Sequence, residues 1–99
     1  MNLQNMMAQA QKMQRDITKK KEEIDKTEFS GKSEWIDVVF TGDKKLKSFK
    51  IVKDGIIDED DKDVLEDMIS IAIADAFSKI DKEIEEKLGS YGQGVSGLF

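Results

Sequence analysis

The chain has 99 residues, with 16 Lys and Arg against 21 Asp and Glu, and contains neither Cys nor His. That length limits it to one domain with a modest core that leans on a partner subunit. The missing residue types exclude disulfides, thiolate metal sites and thiol or imidazole catalysis. P-loop, G-x-G-x-x-G and G-x-S-x-G motifs are also lacking, so no enzyme, metal, cofactor or small-molecule substrate is expected.

Residues 2–26 read as a first helix, since Pro is absent throughout and Gln, Lys, Glu, Met and Ala dominate the segment. Leu3, Ala10, Ile17 and Ile24 recur every seven positions, with Met6, Met13 and Lys20 in the complementary register. This is a heptad seam over three repeats, interrupted by Lys20. The spacing makes packing a simpler account of Met6, Met7 and Met13 than a promiscuous binding surface. Leu3, Met6 and Met7 are broken up by Asn and Gln, so no secretory apolar region forms. No stretch reaches the ~20 apolar residues of a membrane span. A complete, soluble, cytoplasmic chain without a membrane partner is expected.

The period changes over residues 27–53. Phe29, Ser30 and Gly31 form a short strand ending in a turn. From Glu34 to Thr41 the pattern alternates, with Ile36, Val38 and Phe40 on one face and Trp35, Asp37, Val39 and Thr41 on the other. Gly42-Asp43 supplies hairpin chemistry. Leu46 to Val52 returns as a third strand, with Phe49 and Ile51 on one face and Leu46 and Val52 on the other. Asp54-Gly55 closes the region with another turn.

The acids of residues 58–63 suit the positive end of a helix, and one Asp there is the expected N-cap. They do not make a calcium loop: counted from Asp58, the sixth and twelfth positions are Asp63 and Ile69, not Gly and an acid. The last helix is expected from about Asp60 to Leu88. Leu65, Met68, Ile69, Ala72, Ile73, Ala76, Phe77 and Ile80 form one broad stripe, and Val64 and Ile71 lie well off it. The pattern then narrows to Ile80, Ile84 and Leu88. Gly89 is a natural residue to end the helix in the left-handed region. Residues 1–88 therefore read as the domain and 89–99 as a mobile Gly- and Ser-rich tail.

The expected class is α+β, in the order α-β-β-β-α with a small antiparallel sheet. Helices of ~37 and ~43 Å overhang strands of no more than ~27 Å. Their overhanging seams, at Met6, Met13, Ile84 and Leu88, need cover from each other or from a second subunit. We expect an antiparallel helical arm on a homodimer. Its interface would draw on Trp35 and Val39 from the sheet and on Val64, Met68 and Ile71 from the last helix.

Charge is uneven. Residues 1–26 carry six cations and four acids, +2; residues 27–53 carry six and four, +2; residues 54–99 carry four and thirteen, −9; together these give the net −5. On the first helix Lys12, Arg15, Lys19 and Lys26 fall within ~60° of one another, opposite the Leu3–Ala10–Ile17–Ile24 seam. Such a stripe suits phosphates. It equally suits a solvated face with i,i+4 ion pairs Asp16–Lys20, Lys19–Glu23 and Glu22–Lys26, and the residues alone favour that second account. The run Lys44, Lys45, Lys47, Lys50 and Lys53 fits an edge strand guarded against aggregation as well as it fits phosphate contact. Trp35 reads as half-buried, under a helix or at the dimer interface, rather than as an exposed contact residue.

Several segments together resemble the YbaB/EbfC family over nearly the whole chain. Met6-Met7-Ala8-Gln9-Ala10-Gln11-Lys12-Met13-Gln14 is similar to its opening "MKQAQKMQ". Val38-Val39-Phe40-Thr41-Gly42 is a looser form of its "V-x-V-x-x-x-G". The stretch from Asp60 to Ile69 resembles "D-K-E-x-L-E-D-L-I". Ala74-Asp75-Ala76 falls where the family has "N-D-A", and the end from Gly94 to Phe99 resembles its closing "G-x-x-G". The resemblance implies a dimer with protruding, tweezer-like arms that binds double-stranded DNA with little sequence preference in the bacterial nucleoid and has no enzymatic activity. It implies DNA contacts at Lys12 and Arg15 and, further along the arm, at Lys19, Lys20 and Lys21; the rotational stripe adds Lys26. Trp35 and Asp37 depart from the family's plainer, Gly-rich pattern, and the acidic second half departs from an obvious DNA binder. The rival reading is a protein-interaction or chaperone-like module with apolar arms, broadly of prefoldin type.

Overall fold

The computed structural model describes residues 2–91. The Asn2 side chain accepts a hydrogen bond from the Gln4 N–H at 3.0 Å and caps helix α1, Leu3–Lys26. The helix stops at Thr27, whose backbone turns extended while its hydroxyl donates to the Glu23 carbonyl at 2.7 Å. Strands β1 (Glu28–Lys32), β2 (Ile36–Thr41) and β3 (Leu46–Ile51) follow as an antiparallel meander in that order. Helix α2, Lys62–Leu88, completes the expected α-β-β-β-α order. Asp58 caps the 3₁₀ turn Glu59–Asp61 that leads into α2, through a reciprocal box with Asp61.

The two-residue alternation of β2 buries Ile36, Val38 and Phe40 against α2. From β1 come Phe29 and Gly31. The predicted stripe on α2 supplies Ala72, Ala76 and Ile80 as its fully buried centre, flanked by Leu65, Met68, Ile69, Ile73 and Phe77. The Phe77 ring meets Phe40 edge to face, with centroids 4.9 Å apart. The small residues set the distance between layers: a Cβ on Gly31 would run into the Ala72 carbonyl and the Ala76 side chain. Asp75 and Lys79 fasten the same contact. Asp75 Oδ2 accepts from the Lys32 N–H at 3.0 Å, and Lys79 Nζ donates to the Ser30 carbonyl at 2.7 Å. Because the obstacle at Gly31 is helix backbone, Gly31→Ala is expected to cost about 3 kcal/mol, the upper end of overpacking penalties. Thermal unfolding followed by circular dichroism should show a drop in Tm of more than ~10 °C.

One helix is ~10 Å across and covers two strands ~4.8 Å apart. Accordingly α2 sits on β1 and β2 and leaves the same face of β3 open. Register places Ile51 beside Ile36, Phe49 beside Val38 and Leu46 beside Phe40, all on the α2 side of the sheet. Yet Leu46, Phe49 and Ile51 remain exposed, Ile51 by 53%. Leu46 shares this face, against expectation, because the register shifts after Val39.

The β2–β3 loop also differs from the sequence reading. The residue with positive φ is Lys44, at 63°, at the end of a three-residue loop closed by Lys44 N–H to the Thr41 carbonyl and Thr41 N–H to the Lys45 carbonyl. Gly42 is needed for a different reason. It lies against the Ile24 carbonyl, where a Cβ would collide, and its N–H donates to the Thr27 carbonyl at 3.0 Å. The loop tip therefore holds the end of α1. At that tip the Thr41 hydroxyl donates to Asp43, which with Lys45 nearby holds the Asp43 carboxyl below the usual carboxylate range.

A second cluster joins the helices: Ile17, Ile24 and Leu88 are buried together with Ile84 and Tyr91 around them. Ile84 touches both clusters and ties the arm to the body. Gly89 is not left-handed; with φ −59° it continues into a 3₁₀ turn, Gly89–Tyr91, that carries Tyr91 onto α1. Residues 92–99 of the predicted tail lie outside the described residues. The expected mutual cover of the seams holds only for the second half of α1. Leu3, Met6 and Met13 stay exposed, the last by 52%, and the molecule extends 69 × 19 × 16 Å.

Candidate nucleic-acid interface

The six predicted DNA-contacting cations divide into two groups. Lys12, Arg15, Lys19 and Lys26 are exposed on the outer face of α1, opposite the buried Ile17 and Ile24. Over the 14 helical steps from Lys12 to Lys26 the stripe runs ~21 Å, a span along which duplex DNA carries ~12 charges. Among the described residues none of the four is in an ion pair; the i,i+4 pair that α1 does make is Lys21–Asp25, at 2.8 Å. The pairings that would have neutralised the stripe, Lys19–Glu23 and Glu22–Lys26, are not formed. Lys20 and Lys21 lie elsewhere, half-buried on the side facing α2. Lys20 Nζ donates to the Tyr91 hydroxyl at 3.1 Å and sits 5.0 Å from its ring centroid.

The lysines of the sheet are largely engaged within the chain. Lys44 pairs with Asp81 at 3.2 Å and lies over the Phe77 ring; Lys45 pairs with Asp43 and Lys47 with Glu28. Lys53 donates to the Asp54 and Ile56 carbonyls and covers the Trp35 ring at 5.1 Å. Trp35 itself is half-buried against the main cluster. A cleft of about 480 Å³ between the arm and the loop tip is lined by Lys21 and Lys44 but also by Asp25, Asp43, Asp81 and Glu85. Its mixed charge does not favour a phosphate. Among the described residues, the outer face of α1 carries four exposed cations with no ion pair to offset them.

The residues expected at the dimer interface are also dispersed. Val64 and Ile71 are exposed on α2, Ile71 by 51%. They share the flank of Asp75, which faces β1. Met68 is partly buried against the main cluster. Val39 is half-buried on the sheet face turned away from α2. The sequence reading missed the exposed shelf of Leu46, Phe49 and Ile51. It also missed Tyr91, which sits alone in a polar, Gly-rich stretch, and Asp75, whose tie to β1 is visible only in three dimensions. Among the described residues no cluster of Asp and Glu is arranged to hold a metal ion, and no helix is long and apolar enough to cross a membrane.

The fold and this surface define a small α+β protein carrying a basic-faced helical arm. Residues 1–95 match the model of the YbaB/EbfC DNA-binding family. The chain is 45% identical over 97 residues to a nucleoid-associated protein of Lactococcus lactis subsp. cremoris (strain MG1363), covering 96% of this chain and 97% of that protein. It is 42% identical over 100 residues to one from Ligilactobacillus salivarius (strain UCC118), covering 99% and 95%. A nucleoid-associated protein of Enterococcus faecalis (strain ATCC 700802 / V583) is 40% identical over 99 residues, covering 98% and 94%. The chain belongs to the YbaB/EbfC DNA-binding family.

Proposed function

We propose that this protein is a non-catalytic, nucleoid-associated component of the bacterial cytoplasm that binds double-stranded DNA as a homodimer, with little sequence preference. The observation that carries this reading is the line of four exposed cations on the outer face of α1, in no ion pair among the described residues. Lys12, Arg15, Lys19 and Lys26 contact phosphates, which position a protein on the duplex without reading its bases. Lys20 and Lys21 support the arm from its inner side. The net charge of −5 does not forbid this, since fields between exposed charges are screened beyond ~10 Å at 0.1 M salt.

A fluorescence-polarisation titration of labelled duplexes tests the reading. With four phosphate contacts per protomer, log K should fall against log salt with a slope of about −7 for the dimer and about −4 for one arm. Duplexes of unrelated sequence should bind within a few-fold of each other. Absence of binding at low salt, or affinity insensitive to salt, would overturn the proposal; the latter would favour a protein partner.

The acids that flank the lower stripe give a further prediction. Glu22 and Glu23 lie beside Lys19 and Lys26 and are exposed. Glu22→Gln with Glu23→Gln removes two repulsive charges per arm, so affinity at low salt should rise several-fold. The gain should shrink as salt rises, which the same titration measures.

A further inference from the structure

The seam of α1 is covered along only part of its length. From Ile17 onward it meets Ile84, Leu88 and Tyr91. Toward the N-terminus Leu3, Met6, Ala10 and Met13 continue the same face, and all four are exposed. This half of the helix is also uncharged: residues 2–11 contain no Lys, Arg, Asp or Glu. Where the charges begin, an open hollow is lined by Gln9, Lys12, Met13, Asp16 and Tyr91. Asp16, like Lys12, is in no ion pair among the described residues.

We propose that this exposed half of the seam docks on the same half in a second copy of the chain, as an antiparallel helix pair, and so links neighbouring molecules on DNA. The link on DNA rests on the DNA-binding reading above; the pairing itself does not. The surface is self-complementary in size. A two-fold axis between Met6 and Ala10 sets each Met6 opposite the small Ala10 of the second copy, and each Leu3 opposite its Met13. It is self-complementary in charge as well. The uncharged turns meet without repulsion, and the start of α1 from the second copy reaches the hollow beside Asp16. There Asp16 supplies the acid that the first turn of α1 lacks and that the helix dipole favours. Lys12 lines the same hollow with its aliphatic stem and keeps its ammonium in solvent. The pair also continues an existing interface: the heptad spacing that packs Ile17 and Ile24 against Leu88 runs on through Ala10 and Leu3. Area limits its strength. So few side chains bury less than the ~1,200 Å² at which stable complexes begin, so the pair forms where copies are already held close, as on one duplex. The basic stripe faces away from the seam and stays free for phosphates.

The chain contains no cysteine, so introduced thiols report the contact directly. A tagged Leu3→Cys chain mixed with an untagged Met13→Cys chain should form a mixed interchain disulfide. Either chain alone should keep its thiols, because like residues stand ~15 Å apart along the pair, beyond the ~7 Å limit between bridged Cα atoms. Adding Met6→Gln with Ala10→Gln to both chains should slow the mixed disulfide at least tenfold. On duplexes long enough for several molecules the unmodified protein should bind cooperatively, and the Met6→Gln, Ala10→Gln variant without cooperativity. Neither substitution changes charge, so affinity for a duplex that holds one molecule should stay within about twofold. Failure to bind that short duplex would sink the DNA-binding reading and leave the disulfides to decide the pairing. Retained thiols in the mixture, or like chains cross-linking as fast as mixed ones, would overturn the pairing. So would hydrogen-exchange protection of residues 3–13 that does not depend on protein concentration, which would assign the cover to the chain itself. Equal cooperativity in the variant would overturn the link between neighbours on DNA.

Discussion

Replacing Lys12, Arg15 and Lys19 together by Glu is expected to weaken duplex binding on the order of a hundredfold or more at low salt, while leaving the fold and the subunit assembly unchanged. The three side chains are exposed and unpaired among the described residues, so nothing in the described structure depends on them. Surface changes of this kind stay within about 0.5 kcal/mol of neutral. Each reversal removes one phosphate contact and adds one repulsion, and a homodimer does so on both arms. The salt slope should collapse from about −7 toward −2, since Lys26 alone remains on each arm. The contrasting variant is Lys20→Gln with Lys21→Gln. It removes as much charge as two members of the stripe, but from side chains already committed to Tyr91 and Asp25. Its effect on affinity should be under about fivefold, and it should lower Tm through the lost cation–π contact, worth about 0.5–1 kcal/mol. Polarisation titrations and melts of the two variants side by side separate a phosphate-contacting face from a general loss of positive charge. Equal losses in the two variants would sink the assignment to the outer face.

The division of those six cations was partly legible beforehand. Heptad spacing had already put Lys20 on the seam with Met13 and Ile17, which is incompatible with an outward role; the resemblance alone drew it and Lys21 into the contact set. Period also revealed both helices, the three strands and the buried stripe at Ala72, Ala76 and Ile80, because helix and strand repeats differ plainly. What it did not reveal were distances between elements. Gly42 reads as a turn residue, yet its role is to let the hairpin tip press on the Ile24 carbonyl, and the left-handed position falls to Lys44. Gly89 reads as a helix terminator, yet the chain continues turning because Tyr91 has Lys20 and the Ile17–Leu88 cluster to reach. Contacts between residues 71 positions apart, such as Lys20 and Tyr91, leave no mark on local pattern.

The same limit hid the shelf on β3, and it leads to the second large effect. Leu46, Phe49 and Ile51 share the face that α2 covers elsewhere, but one helix spans only two strands. An apolar strand face next to a core is left bare in a chain that buries only a modest core of its own. Covering it with a second copy yields an isologous homodimer in which each protomer shields the other's β3. Val64 and Ile71 are exposed on the opposite, β1-side flank of α2, away from this shelf. Ile51→Asp is therefore expected to leave a folded monomer, because Ile51 is 53% exposed within the chain. In the dimer it would place an unpaired carboxylate under the partner, at about 3 kcal/mol per copy. Two copies raise the dissociation constant on the order of 10⁴, which sedimentation equilibrium at micromolar concentration reads as full dissociation. A monomer has one arm, so its DNA affinity should fall in parallel, with the salt slope halved to about −4. Asp37→Ala is the control: it lies on the sheet face turned away from α2 and should change neither quantity. If the unmodified protein sediments as a monomer, or if Ile51→Asp remains a dimer, β3 is not the interface and the bare shelf belongs to another partner.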